Sequence, residues 1–159
     1  MKIETFETSG ALGDRPATVV YAAPPFHAML AVVPATCFVG ALLTDLVYWR
    51  SAEMMWADFS AWLVSTGVVL GWLFLIVGLI EIAARPSHRR REGIWAYLIG
   101  NLVVLVFATL NMLVHTRDAW TSVVPWGLIL SAATVVSLIG TASFGWTMIY
   151  RPRPGVTVQ

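Results

Sequence analysis

The feature that most constrains this chain is a long apolar run that ends at a cluster of arginines. Residues 59–84 read FSAWLVSTGVVLGWLFLIVGLIEIAA, and RPSHRRRE follows directly. A helix rises about 1.5 Å per residue, so a hydrocarbon core of about 30 Å needs about 20 apolar residues. Arginines and lysines collect in the cytoplasmic loops of membrane proteins. The run therefore predicts a membrane-spanning helix whose C-terminal end faces the cytoplasm.

The composition of the whole chain fits a membrane protein. Hydrophobic residues make up 58% of it and charged residues 12%, whereas soluble domains carry about 25% charged residues. This leaves too little polar surface for a water-exposed fold. Cys37 is the single cysteine, which excludes an intrachain disulfide and a multi-cysteine metal site.

Four apolar runs are long enough to span a bilayer: residues 26–48, 59–83, 93–114 and 123–150. They are continuous and do not alternate, so they are not strands of a membrane barrel. The loops between them are short, which makes neighbouring helices antiparallel. We predict an all-α integral membrane protein, a four-transmembrane-helix up-down bundle, flanked by tails at residues 1–25 (largely irregular) and 151–159.

The distribution of basic residues predicts the orientation of this bundle. With four spans, both tails and the second loop lie on one side, which then holds eight of the ten lysines and arginines. Both termini are therefore expected in the cytoplasm. The cluster Arg89, Arg90 and Arg91 is sufficient as a topology signal, and it is also suited to anionic lipid headgroups. Nucleic-acid binding is not expected of so short a cluster against a membrane.

Polar side chains inside the spans are the candidate functional residues, because such residues are costly in lipid. Placed by topology, they form one group near each membrane face. The cytoplasmic group, a candidate cofactor site, comprises His27, Glu81, Tyr97 and Asn101. The outer polar cluster comprises Asp45, Asn111 and His115.

A structural interpretation of these residues stays open beside the functional one. Asp45 is near Tyr48 and Glu81 is near Arg85, so each acid could pair locally or extend toward the membrane surface. A haem held by His27 and His115 within one chain is disfavoured, because the two lie at opposite faces, roughly 25 to 30 Å apart. We see no metal-ligand spacing, nucleophile motif or phosphate-binding loop.

Small residues on the predicted helices indicate where helices approach closely, since association in lipid depends on such contacts. Their spacing suits packing within the bundle, and equally a seam between copies or with a larger membrane complex. The residues are Gly67, Gly71, Ser137, Thr141 and Gly145.

Several stretches together resemble a known family. They are FHAMLAVVPATCFVGALLTDLV, GLIEIAA, the helix carrying Asn101, NMLVHTRDAW and FGWTMIYRPRPGV. Over about residues 26–156 the chain resembles the bacterial membrane proteins called domain of unknown function 2231. Members often carry His-Pro where this chain has His27 and Ala28, and a histidine near Tyr97, so the resemblance does not favour haem. It implies a four-helix domain of the bacterial inner membrane and no established activity.

Three functional hypotheses follow. The leading one is a non-enzymatic subunit or accessory factor of a larger membrane assembly, because catalytic constellations are absent and the helix faces suit partner helices. The second is a redox-associated subunit that binds haem or quinone near His27, Tyr97 and Asn101. The third is a small carrier or proton pathway that uses Asp45 and Glu81. The residues identify no cofactor.

Overall fold

A computed structural model of the protein describes residues 31–84, 93–116 and 123–150, and side chains as far as residue 147. Within these ranges the secondary structure is helical, without strands. The four helices are α1 (Val32–Ser51), α2 (Met54–Ala84), α3 (Ile94–His115) and α4 (Leu128–Tyr150). Each is long and apolar enough to cross a membrane. The prediction of an all-α protein with four spans is confirmed, whereas the orientation of its termini stays a prediction.

The turn between α1 and α2 is much shorter than the loop expected from hydropathy. Only Ala52 and Glu53 separate the two helices, whereas the apolar runs stop at residue 48 and resume at residue 59. Ala52 adopts the left-handed conformation (φ 56°, ψ 19°), and its N–H donates to the Tyr48 carbonyl at 2.8 Å. Polar residues at the membrane surface continue the helices here, because a helix does not have to end where its apolar run ends.

The fourth span begins with an irregular turn, Val123–Gly127, and not with a regular helix. Val124 is extended (φ −122°, ψ 126°), as expected of a residue that precedes a proline, and the peptide bond that joins it to Pro125 is cis. The regular helix therefore starts at Leu128, five residues later than the apolar run predicts. The start expected for the first span, residue 26, lies outside the described residues.

The helices pack as a ring in chain order, with α1 and α4 closing it. Contacts show that neighbours run in opposite directions. Ser60, early in α2, hydrogen-bonds Asp45, late in α1, whereas Gly67, further along α2, lies against Phe38, earlier in α1. The same reversal relates α3 to α4. This is the up-down arrangement that short connections require.

Close helix contacts are made at glycines. A Cβ built on Gly67 would lie 2.6 Å from the Phe38 ring, and one built on Gly71 would lie 2.5 Å from Leu105 Cδ2. One built on Gly145 would lie 2.7 Å from the Tyr97 ring. These three glycines therefore serve packing within the chain. A seam between copies that uses them, Ser137 or Thr141 stays a prediction.

Candidate functional site

The most prominent polar feature of the bundle is Asp45, which lies in α1 and is completely buried (0% exposed). Its carboxyl group is hydrogen-bonded to a side chain from each of the other helices. Ser60 Oγ of α2 donates to Oδ1, and Ser131 Oγ of α4 donates to Oδ2 at 2.5 Å. Nε2 of His115, at the end of α3, lies 3.0 Å from Oδ1. One carboxylate therefore joins all four helices.

His115 is held at both edges of its ring. Nδ1 lies 3.0 Å from the carbonyl oxygen of Asn111, one turn earlier in α3. Nε2 faces both Asp45 Oδ1 and Ser60 Oγ, the latter at 3.1 Å. The last turn of a helix favours a positive charge, because its unpaired carbonyls give that end a partial negative charge. The position of His115 is therefore suited to an imidazolium.

Asn111 extends the cluster by one more group. Its Nδ2 donates to Ser131 Oγ at 2.8 Å, and Ser131 uses its single hydroxyl hydrogen on Asp45. This chain of donors determines the orientation of the amide. Asn111 Oδ1 is buried and has no hydrogen-bond partner among the described residues. Buried polar atoms without a protein partner are commonly satisfied by an internal water molecule.

The hydrogen-bonding pattern implies one dissociable proton in the Asp45–His115 pair. A carbonyl oxygen can only accept, so Nδ1 of His115 must carry a hydrogen. Nε2 and Asp45 Oδ1 lie 3.0 Å apart, and without a hydrogen between them two lone pairs would be opposed. With a hydrogen between them, the pair is either imidazolium with carboxylate or neutral imidazole with carboxylic acid. Both forms contain the same number of protons and carry no net charge.

Apolar layers cover this polar cluster on both sides along the bundle. Toward the α1–α2 turn lies an end layer, formed by Tyr48, Ala57 and Val123 with the partly buried Met54 and Trp56. Toward the other end lies a central layer of five buried residues and four partly buried ones. The buried residues are Phe38, Val68, Val104, Leu105 and Ala108. The cluster is thus enclosed by apolar side chains within the described part of the bundle.

Comparison with known proteins agrees with this architecture. The model of a family described as predicted membrane protein, domain of unknown function 2231, matches residues 23–158. The chain belongs to this family. The resemblance seen in the sequence is confirmed, and membership accounts for the membrane location of the protein without assigning it an activity. No curated protein and no solved structure matches the chain.

In this member of the family, the structure brings together all three residues of the predicted outer polar cluster. Asp45 and His115 are in direct contact, and Asn111 joins them through its carbonyl oxygen and through Ser131. Asp45 does not pair locally or extend toward the membrane surface, because its partners lie on three other helices. Whether these residues form a functional site stays a prediction.

Ser60 and Ser131 are cluster residues that sequence reasoning missed. Ser60 lies seven residues before Gly67, and therefore on the same face of α2 as this close-packing glycine. That alignment was the available signal. The signal at Ser131 was weaker, because serines in helices commonly hydrogen-bond their own backbone. Several other serines on these spans are exposed or half-buried.

The predicted cytoplasmic group is less connected in the described residues. Asn101 Nδ2 donates to the Tyr97 carbonyl of its own helix at 2.8 Å, and the Tyr97 ring packs on Gly145. Glu81 is half-buried in the last turn of α2, at the same end of the bundle. His27 and the Arg89–Arg91 cluster lie outside the described residues. A cofactor site formed by His27, Glu81, Tyr97 and Asn101 stays a prediction.

The geometry of His115 also bears on the haem hypothesis. Both ring nitrogens are engaged, so His115 could bind iron only by giving up the contact to Asp45 or the one to Asn111. Over the described residues, no group of three or more histidine, cysteine, aspartate or glutamate side chains is placed to hold a metal ion. The cluster places an acid and a base in hydrogen-bond contact, an arrangement suited to the binding and release of a proton.

Proposed function

We propose that this protein is a non-enzymatic membrane protein that binds and releases one proton at the Asp45–His115 pair. The observation that carries the proposal is the 3.0 Å contact between Asp45 Oδ1 and His115 Nε2, with Nδ1 committed to a backbone carbonyl. That arrangement is suited to a proton shared between the two side chains. Ionisable residues buried in membrane spans commonly mark proton sites.

Electrostatics supports a coupling between this proton and helix packing. The pair with its proton carries no net charge, so its burial costs less than the burial of an unpaired charge. Loss of the proton would leave a negative charge in the apolar interior, which is unfavourable unless water or a rearranged donor compensates it. Asp45 contacts α2, α3 and α4 together. A change in its protonation would therefore act on the packing of the whole bundle.

Such a bundle is suited to the role of a proton-responsive small subunit or accessory factor in a larger membrane assembly. A shift in helix packing changes the surface presented to neighbouring helices, and this surface carries many large apolar side chains. We propose with this role that the bundle lies in the inner membrane of a bacterial cell and that both termini are in the cytoplasm. The excess of lysines and arginines in the tails and the second loop supports this orientation.

The geometry favours proton binding at one site over conduction between Asp45 and Glu81. These acids lie at opposite ends of the bundle, and the central apolar layer around Phe38 and Leu105 lies between them. A path across that layer would need polar groups or water, because protons move along hydrogen-bonded chains. The redox alternative at His27, Tyr97 and Asn101 stays a prediction, because His27 lies outside the described residues.

Infrared difference spectroscopy of the reconstituted protein across a pH titration tests the proposal. The spectrum should show a protonation change that disappears in Asp45→Asn, because the amide cannot hold the exchangeable proton. Glu81→Gln is the matched control, since it removes the acid at the other end of the bundle and should leave this signal in place. A wild-type spectrum without a change assigned to Asp45 or His115 would overturn the proposal.

The subunit role needs a separate measurement. Native mass spectrometry of protein extracted gently from its own membrane should find the chain attached to other polypeptides. A bare single chain under the same conditions would count against an accessory role and leave the proton site unaffected. A mass excess that matches haem or quinone would support the redox alternative.

A further inference from the structure

We infer that the Asp45–His115 pair exchanges its proton with one side of the membrane only, through the end layer at the α1–α2 turn. The inference rests on the proposed function and adds a route to it. Two observations carry it: the unequal depth of the pair from the two ends of the bundle, and the different apolar layers that cover it on each side.

The depths differ by about a factor of two. At 1.5 Å per residue, Asp45 lies about 9 Å from the Ser51 end of α1 and about 20 Å from the Val32 end. His115 is itself the last residue of α3. A proton arriving from the α1–α2 end therefore has roughly one and a half helical turns to cross.

The end layer is also thin. Tyr48 lies one turn beyond Asp45 on α1, and Ala57 lies one turn before Ser60 on α2. Among the residues that the structure describes, these two form a single layer over the pair with Val123. Ala57 contributes only a methyl group. Tyr48 is the largest of the three buried side chains of this layer and the most exposed of those three, at 8%.

Tyr48 is weakly held, which suits it to opening and closing. Its hydroxyl contacts Met54 Sδ at 4.0 Å, and a thioether is a poor hydrogen-bond acceptor. Methionine side chains are flexible and repack readily. A rotation of these two side chains would open the end layer toward Asp45, whereas the central layer is formed by side chains from all four helices.

In the described part of the chain, the charged groups near this route lie outside the enclosed cluster. Arg50 on α1 and Glu53 and Asp58 at the start of α2 are exposed. From α3 the titratable group that faces Asp45 is His115, and α4 contributes the neutral Ser131. The exposed acids can gather protons at the entrance, and the pair behind Tyr48 is the buried acceptor.

The test compares two aromatic truncations in α1, reconstituted in lipid vesicles of uniform protein orientation. Tyr48→Ala removes the end-layer ring and Phe38→Ala removes the central-layer ring; both side chains are buried in the wild type. The pH is changed on one side of the membrane, and the rate of the resulting infrared change is measured. The signal followed is the one that disappears in Asp45→Asn. The wild type should respond to a step at the α1–α2 side only. Tyr48→Ala should respond several-fold faster, and Phe38→Ala at the wild-type rate.

Equal response of the wild type to steps on either side would overturn the route, and so would acceleration by Phe38→Ala alone. In both cases the pair still exchanges its proton, so the proposed function survives. Absence of any pH response in the wild type would overturn both. If Tyr48→Ala does not fold, Val123→Ala is the milder opening of the same layer and should accelerate the response.

Discussion

Replacing Asp45 by asparagine and by alanine gives a quantitative test of how the buried cluster is held together. The wild-type carboxylate accepts from Ser60 and Ser131 and contacts His115, with no exposure to solvent or lipid. Asparagine keeps the shape of the side chain and removes the proton site. Alanine removes both the shape and the acceptor atoms.

The asparagine variant can satisfy most of the cluster. Its carbonyl oxygen can accept from Ser131, and its amide can donate to Nε2 of a neutral His115, whose Nδ1 hydrogen still reaches the Asn111 carbonyl. Ser60 retains the Ala41 carbonyl at 3.4 Å as an acceptor. We expect a loss of about 1 kcal/mol in the free energy of unfolding, the size of one impaired hydrogen bond.

The alanine variant leaves Ser60, Ser131 and His115 buried without their common acceptor. Removing one member of a buried, hydrogen-bonded ion pair costs about 3–5 kcal/mol. That range is consistent with two unsatisfied groups, Ser131 and His115, at about 1–3 kcal/mol each, since Ser60 keeps the Ala41 carbonyl as an acceptor. The two substitutions should therefore differ by at least about 2 kcal/mol.

Reversible unfolding in mixed micelles, titrated with a denaturing detergent, measures these differences. The order of stability should be wild type, then Asp45→Asn, then Asp45→Ala, and the midpoint of the asparagine variant should vary less with pH than that of the wild type. An equal loss in the free energy of unfolding of the two variants would refute the reasoning. Asparagine would then replace the hydrogen bonds of the aspartate no better than alanine does. A loss below about 1 kcal/mol in the alanine variant would show that the cluster does not anchor the bundle.

Two further substitutions test the packing of the helices by the same unfolding measurement. Gly67→Ala should destabilise the bundle by about 1–3 kcal/mol, because the new methyl group meets the Phe38 ring. Gly78→Ala is the matched control, since nothing lies within 4 Å of a Cβ built there. An equal loss of stability in the control would contradict close packing as the cause. Trp72→Phe removes the 3.1 Å hydrogen bond from Nε1 to Thr109. It should lower the free energy of unfolding by about 0.6 kcal/mol, a typical value for an interhelical hydrogen bond in a membrane. If Trp72→Phe causes the same loss in a Thr109→Val background, where this bond is already absent, the indole does not stabilise the bundle through it.

Hydropathy was sufficient for the existence and order of the four spans, because a bilayer requires about 20 apolar residues with every backbone group paired internally. It was a poor guide to where the helices end. Tyr48 to Ser51 and Met54 to Asp58 are helical although the apolar runs exclude most of them. Backbone hydrogen bonding continues through polar residues at the membrane surface, and hydropathy does not record it.

The polar cluster depended on information that hydropathy does not contain. The sequence placed Asp45, Asn111 and His115 at one end of the bundle by height alone. It could not show that Asp45 and His115 are in contact, because a helix that is apolar on all sides does not reveal which face turns inward. That rotation is decided by close approaches between helices, such as Phe38 against Gly67.

By itself, then, the sequence determined that this chain is a four-span helical membrane protein and which polar residues share a membrane depth. Both follow from the energetics of single segments in lipid. Only the tertiary structure decided that an aspartate in α1 meets a histidine 70 residues later, with serines from α2 and α4 as further donors. The contact between Asp45 and His115 depends on how the four helices are rotated about their axes within the bundle, and no single segment specifies that rotation.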